Sequence, residues 1–320
     1  MKTIYQEKFG DSSVLIYGEQ PIPSINDSQV LIAVHATSIN PRDWLIRSGK
    51  YQLQFLVPRF PLILGSDFSG TVVKVGKSVR NFKEGDQVYG MNNPTQGLGA
   101  HAEFVSADES VIALKPNSMN FNQAAGVPLC GLTAWQALHK LAGINKDHKI
   151  LIVGATGGVG SFAVQLAKAA GANVTVICGA KSEALAKELG ANEVLDYAVN
   201  PILDRNAFDI VFDTVGRKPY SHYLPALKNT GNFISTIPNP ANLFASVVSW
   251  LVKPLRLKPS IQVVMVKPNS DDLNGLTSLI DAGKVSTLID TVYALKNAKL
   301  AHDKSRSFRA KGKLILEVKA

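Results

Sequence analysis

The chain has 320 residues, of which 46% are hydrophobic and 18% charged, the balance of an ordinary globular protein long enough for about two domains. Two cysteines, Cys130 and Cys178, exclude a disulfide framework and most cysteine-rich metal sites, and they suit a reducing compartment. The net charge of +9 favours anionic ligands, but Lys and Arg are spread along the chain with no run of five or six like charges, so a solvated basic surface is expected over a nucleic-acid motif.

No stretch approaches the ~18 consecutive apolar residues of a membrane span. The start, MKTIYQEKFGDSSV, has no apolar h-region and is not read as a secretory signal, which makes the cytoplasm the expected location. Up to about Phe121 the chain is β-rich. Short β-branched and aromatic runs at Val30–His35, Phe68–Val75, Gln87–Gly90 and Ala102–Val105 are punctuated by Gly and Pro, a pattern that predicts a compact, barrel-like β domain.

From about Asn122 the rhythm becomes strand–helix alternation. Strands are predicted at Lys149–Val153, Asn173–Ile177, Glu193–Leu195, Asp209–Asp213, Gly231–Ser235 and Ile261–Val266, with helices at Val159–Ala170 and Ser182–Leu189. This implies an α/β fold with a doubly wound parallel sheet of Rossmann type. The segment Ala241–Leu257 is unusually apolar and reads equally as a core helix or as a pocket lid or subunit contact. The tail Lys313–Val318 is again a strand and is expected to return to the first domain, giving a β-rich domain of 1–121 and 268–320 and a dinucleotide-binding domain of 122–267.

The segment ILIVGATGGVG, Ile150–Gly160, joins a buried strand to a helix start through a glycine turn. Such a turn directs bare backbone N–H groups and the positive end of a helix at one point, which suits a pyrophosphate. The frame Ala155, Gly157, Gly160 departs from Gly-x-Gly-x-x-Gly by an Ala in first place. Thr156, Gly157, Gly158 and Val159 are the cradle residues. In such folds an acid about 20 residues past the glycines hydrogen-bonds the ribose 2′-hydroxyl of NAD. Here Gly179, Ala180, Lys181 and Ser182 follow the second strand, and the first acid is Glu183. A cation and a hydroxyl suit a 2′-phosphate, so NADPH is expected over NADH.

Gly65–Gly90, GSDFSGTVVKVGKSVRNFKEGDQVYG, follows the form G-x-D-x-x-G-x-V-x-x-V-G with G-D-x-V downstream. In this, in SINPRDWLIRSG (Ser38–Gly49), in GLTAWQAL (Gly131–Leu138) and in ATGGVG (Ala155–Gly160), the chain resembles the zinc-independent quinone oxidoreductase branch of the medium-chain dehydrogenase/reductase superfamily. The resemblance covers essentially the whole chain. It implies a GroES-like catalytic domain, an open cleft between the domains, Asn40 and Thr133 beside the nicotinamide as catalytic and cofactor-binding residues, Tyr197 along the 2′-phosphate, Lys313 as a cofactor residue, and a homodimer. Asn40 is expected to hydrogen-bond the carboxamide or the acceptor oxygen, or else to be a turn residue before Pro41. Val215 and Ile237, past the fourth and fifth strands, are expected to give backbone contacts to ribose and nicotinamide.

Zinc-dependent members carry a Cys near position 40 and Gly-His-Glu where this chain has Asn40 and Gly65-Ser66-Asp67, and no cysteine falls in Met91–Ala100, where a structural zinc lobe would lie. The six histidines are scattered, so no metal is expected. Asp43 is expected to brace its loop together with Arg47 rather than act as a general acid. Trp44, Tyr51, Phe60, Trp135 and Trp250 are candidate pocket walls or core. The reaction expected is reduction of a small-molecule quinone or α,β-unsaturated carbonyl by NADPH, with the final proton from water. The alternative is an NADPH-binding protein with a non-catalytic role, RNA-binding or structural.

Overall fold

The structure is a computed structural model that describes residues 1–52, 54–57, 60–93, 99–199, 203–252 and 259–318. The chain divides into two compact units: Met1–Leu132 with Lys267–Gly283 and Thr287–Ala320, and Thr133–Val266 with Lys284–Ser286. Residues 122–132 therefore belong to the first unit.

The first unit begins with β1 (Lys2–Gln6), β2 (Ile16–Glu19), β3 (Gln29–Ile39), α1 (Pro41–Arg47), β4 (Leu62–Ile63), β5 (Asp67–Val75), β6 (Gln87–Met91), β7 (Phe104–Asp108), β8 (Ile112–Leu114), α2 (Phe121–Ala125) and α3 (Pro128–Trp135). The second unit supplies β9 (Lys149–Val153), α4 (Gly158–Ala169), β10 (Asn173–Cys178), α5 (Glu183–Glu188), β11 (Glu193–Asp196), β12 (Phe208–Asp213), β13 (Leu227–Ser235), α6 (Pro240–Val252) and β14 (Ser260–Val263). The chain then returns to the first unit through α7 (Ser270–Asp281), β15 (Ile289–Ala294), α8 (Ala298–Arg306) and β16 (Lys313–Glu317).

In the first unit a three-stranded sheet β2-β1-β4 accompanies a larger sheet ordered β15-β16-β3-β5-β6-β8, with β7 also paired to β3. Strand β3 is its axis. Its inward residues Val30, Ile32 and Val34 pack on Phe68, Val72, Val88, Val105 and Ile112. It runs four residues past the predicted end because Ala36–Ile39 are buried throughout and lose the alternation by which a half-buried strand is recognised. His35 lies on this strand, as expected, with its ring stacked 4.0 Å from that of Phe121. Beside it a second core gathers Ile4, Leu15, Ile39, Ile46, Leu62, Leu295 and Leu314.

The second unit is the predicted doubly wound sheet. Its strand order β11-β10-β9-β12-β13-β14 is parallel throughout and reverses direction between β9 and β12. Ligands of such sheets sit beyond the carboxyl ends at that reversal. The buried strand Ile150–Val153 at the centre is covered by α4, whose Phe162, Val164 and Leu166 are fully buried.

Gly65 joins β4 to β5 where the backbone pairs with the segment leading to His101: Ala100 N donates to Gly65 O at 3.1 Å and His101 N to Leu64 O at 2.9 Å. A Cβ here would stand 2.2 Å from the His101 ring, at a φ of +90° that side chains rarely adopt. Gly65→Ala is therefore expected to cost about 3 kcal/mol or more, as strain plus an overpacked core, read as a lower urea midpoint. A wild-type midpoint would contradict this packing.

Candidate active site

Two constellations stand out, one in each unit. In the first unit, the strand registers bring distant residues together. Leu314 opposes Ile39 and Phe68 opposes Thr37, so Lys313 is placed beside Asn40 and Asp67 beside Ser38. The Asp67 carboxylate has no exposure to solvent. Its Oδ2 accepts from Ser38 Oγ at 2.6 Å, Asn40 Nδ2 at 2.9 Å and Lys313 Nζ at 3.3 Å. Its Oδ1 accepts the backbone N–H of Leu129 at 2.9 Å. Lys313 Nζ also donates to Asn40 Oδ1 at 2.6 Å and lies 3.5 Å from Cys130 Sγ.

Asn40 thus has its amide oxygen and one amide hydrogen engaged inside this cluster, and it is fully buried. Its backbone N–H donates to Asp43 Oδ2 at 2.7 Å, which fixes the entry into α1. Burial pushes the Asp43 carboxyl up to about 7, against the Asn40 N–H and the Arg42 charge that favour its ionised form. Burial likewise raises the Cys130 thiol. Burial pulls the Lys313 ammonium down, and the Cys130 sulfur and Asp67 carboxylate more than restore it, so it stands above the ordinary lysine value. His101, under the same sheet, is driven down to about 4 by burial. Arg47 is buried with its Nε donating to Gly10 O at 3.4 Å.

The cluster matters for metal chemistry. Asn40, Asp67 and Cys130 converge on one point, and an ammonium group of the chain itself is hydrogen-bonded there. A divalent cation at that point would face the positive charge of Lys313, so this donor set does not fit zinc. Among the described residues, no group of three His, Cys, Asp or Glu side chains is placed to hold a metal ion; part of the stretch 91–100 lies outside them.

In the second unit, β9 ends in a turn in which Gly154 takes φ +89°. Gly157 is the N-cap of α4 and offers no side-chain cap, which leaves the first amides of the helix directed outward. Gly160 cannot carry a side chain, since a Cβ would meet Gly154 O at 2.0 Å. Thr156, Gly158 and Val159 are half-buried at this turn. The residues expected past β12 and β13 are gathered beside it. A Cβ on Gly154 would lie 2.4 Å from Val215, and one on Gly216 2.5 Å from Ile237. The Asp213 carboxylate orders the first loop by accepting the N–H groups of Val215 and Gly216, both at 2.9 Å. Ser235 Oγ accepts Ile237 N at 3.1 Å in the second.

At the end of β10, Gly179 lies against the Tyr197 ring, 3.1 Å from the position of its missing Cβ. The Arg217 guanidinium stands 5.6 Å from the centre of the same ring. Sequence reading missed Arg217; its signal was a second cation four residues beyond the end of β12. Lys181 is exposed and Ser182 buried beside this group. Glu183, the first acid after Gly179 in the sequence, is held by Lys187 Nζ at 2.7 Å along its own helix, while Asp196, just before Tyr197, is the strand partner of Cys178. Thr133, on α3, is nearly buried in the second unit.

The candidate aromatic walls have separate fates. Trp44 meets Phe308 edge-on at 5.8 Å, Tyr51 packs on the β1–β4 core, Phe60 meets Phe9 at 4.8 Å and Trp135 lies 4.3 Å from His139. Trp250 is 72% exposed, so the core-helix reading of its segment does not hold over 241–251; residues 253–257 lie outside the described residues.

Comparison with known proteins bears on both units. The alcohol dehydrogenase GroES-like domain family matches residues 26–117, and the zinc-binding dehydrogenase family matches residues 189–316. The chloroplast envelope quinone oxidoreductase homolog of Arabidopsis thaliana is 36% identical over 98% of this chain and 97% of its own length. The structure of the quinone oxidoreductase from Coxiella burnetii superposes with a TM-score of 0.88 at 31% identity, covering 100% of this chain and 99% of that one. The Escherichia coli quinone oxidoreductase complexed with NADPH superposes at 0.83 with 28% identity, covering 99% and 100%.

Proposed function

The chain belongs to the quinone oxidoreductase branch of the medium-chain dehydrogenase/reductase superfamily, and on that premise we propose that it is an NADPH-dependent, zinc-free reductase of quinones or α,β-unsaturated carbonyls. The observation that carries this reading is the Lys313 ammonium hydrogen-bonded to Asn40 Oδ1 and Asp67 Oδ2 and 3.5 Å from Cys130 Sγ. The chain supplies its own cation at the point where those donors converge. Without a Lewis acid to polarise an alcohol or a simple carbonyl, the acceptor must already be electrophilic.

NADPH, when bound, supplies the hydride. The chain's residues supply place and charge. The amides of Thr156, Gly157, Gly158 and Val159 would hold the pyrophosphate at the start of α4. Gly179, against the Tyr197 ring, would leave room for the adenine ribose, and Lys181, Ser182, Tyr197 and Arg217 would hold the 2′-phosphate, with Glu183 turned to Lys187. Backbone groups of Val215 and Ile237 would bound the nicotinamide half, and the Thr133 hydroxyl would serve the carboxamide. Asn40 and Lys313 act as positioning residues, locking the entry of α1 and the start of β16 in one buried network. The acceptor takes the hydride at carbon and a proton from water at oxygen or at the α-carbon.

Cys130 and Cys178 are both buried thiols, which supports a reducing compartment, the cytoplasm. No helix among the described residues is long and apolar enough to cross a membrane. Strand β14 is the last of its sheet and offers an edge for pairing in a homodimer.

The direct test is NADPH oxidation against a panel of quinones and 2-alkenones. Turnover with at least one class is expected; NADPH binding without turnover of any member would overturn the enzyme reading. For the cofactor, Lys181→Glu should weaken NADPH about tenfold or more while changing NADH by less than about threefold, since it places a carboxylate against the 2′-phosphate alone. Equal losses in titrations of the two cofactors would remove Lys181 from that role.

A further inference from the structure

Helix α6 is built inside out. Its buried positions are Asn242, Ala245 and Ser249, at the i, i+3, i+7 spacing of one face. They are small or polar and serve the fold through hydrogen bonds. Asn242 Nδ2 donates to Ile237 O at 2.9 Å, and Ser249 Oγ accepts Ile261 N at 2.9 Å. The large apolar side chains point the other way: Phe244 is 73% exposed, Trp250 72%, Leu251 62% and Val247 59%. With Leu243 and Val248, also exposed, they fill a continuous arc of about 160° at the 100° per residue of an α-helix. Burying polar groups and exposing aromatic ones costs a protein unless something apolar covers the outer face.

Charge identifies what covers it. From Thr214 to Ser270 the chain carries seven Lys and Arg and no Asp or Glu, and of the seven Lys228 is paired with Asp209 from outside the stretch, within a protein of net charge +9. That stretch attracts an anionic surface. At 13 residues α6 is far too short to span a bilayer, but it has the form of a helix that lies in the headgroup plane with Trp and Phe at the interface.

We propose that the outer face of α6 docks this protein on the surface of an anionic lipid bilayer, with Phe244, Val247, Trp250 and Leu251 inserted among the acyl chains. The apolar face supplies the insertion, and the acid-free stretch around it supplies the lipid selectivity. The proposal concerns this surface alone and stands whichever acceptor the protein reduces.

The test uses the full chain and co-sedimentation with vesicles of phosphatidylcholine, with or without phosphatidylglycerol. The wild type should partition onto the phosphatidylglycerol vesicles about tenfold or more above pure phosphatidylcholine, and added salt should weaken it. The double variant Phe244→Gln/Trp250→Gln changes only exposed side chains. It should lose about tenfold or more of that partitioning, with its sedimentation coefficient in solution and its NADPH turnover of a water-soluble quinone unchanged. Absence of wild-type binding to anionic vesicles, or undiminished binding by the variant, would overturn the proposal. So would dissociation of a dimer by the variant, which would make the face a subunit contact, or a raised KM with vesicle binding intact, which would make it a pocket lid. Failure of turnover in every form would count against the reductase reading and leave the vesicle result to stand by itself.

Discussion

A carboxylate shut away from water must be given hydrogen-bond donors and a compensating charge, and the first unit is organised around one that is. Asp67 receives four donors, from the end of β3, the residue before α1, the backbone of α3 and the first residue of β16. Lys313 is 246 residues away in sequence, so the last strand of the chain closes onto the middle of the first unit through this ion pair. Burying such a pair is not by itself a source of stability, because desolvation offsets the attraction. Its effect is on specificity. A one-residue slip of β16 against β3 would carry Lys313 to the other face of the sheet and leave Asp67 without its cation. Register, helix entry and the geometry of Asn40 are thereby tied to one buried charge.

The same ion pair bears on chemistry. An ammonium fixed among oxygen and sulfur acceptors gives the cluster a positive centre, and it holds the Asn40 amide in one orientation. In the second unit the constraint is steric instead. Gly160 leaves no space between itself and the carbonyl of Gly154, so strand β9 and helix α4 approach closely enough to aim bare amides past the sheet. One unit fixes charge by burial, the other exposes backbone dipoles by removing side chains.

Much of this was legible in the sequence, for identifiable reasons. Strand β9 was bounded correctly because Lys149 and Gly154 flank a run of four apolar residues, and the parallel, doubly wound sheet followed from the strand–helix alternation. The β-rich domain was recognised, but β1, β2, β4, β8 and β15 were not. Strand β4 has only two residues, and β15 is at most half-buried along its length, so neither carries a clear periodicity. The end of β3 was placed too early because Ala36–Ile39 are buried on both faces. The turn from β9 into α4 was legible because its glycines speak locally, as at Gly157. The site was not legible where partners are brought together by register: nothing near Asp67 points to Lys313, and nothing near Tyr197 points to Arg217. The apolar run of α6 was seen, but its orientation was not, because composition alone does not tell an apolar core face from an apolar surface.

The central claim is that Asp67 and Lys313 act as a coupled buried pair that holds the first unit together. A double-mutant cycle with Asp67→Asn and Lys313→Met, followed by urea unfolding, measures it most directly. Each single variant strands a polar or charged partner and should lose about 3–5 kcal/mol. The double variant should lose less than the sum of the two, with a coupling of about 2 kcal/mol or more. Losses that simply add would show that the two groups stabilise the protein independently and would contradict the account.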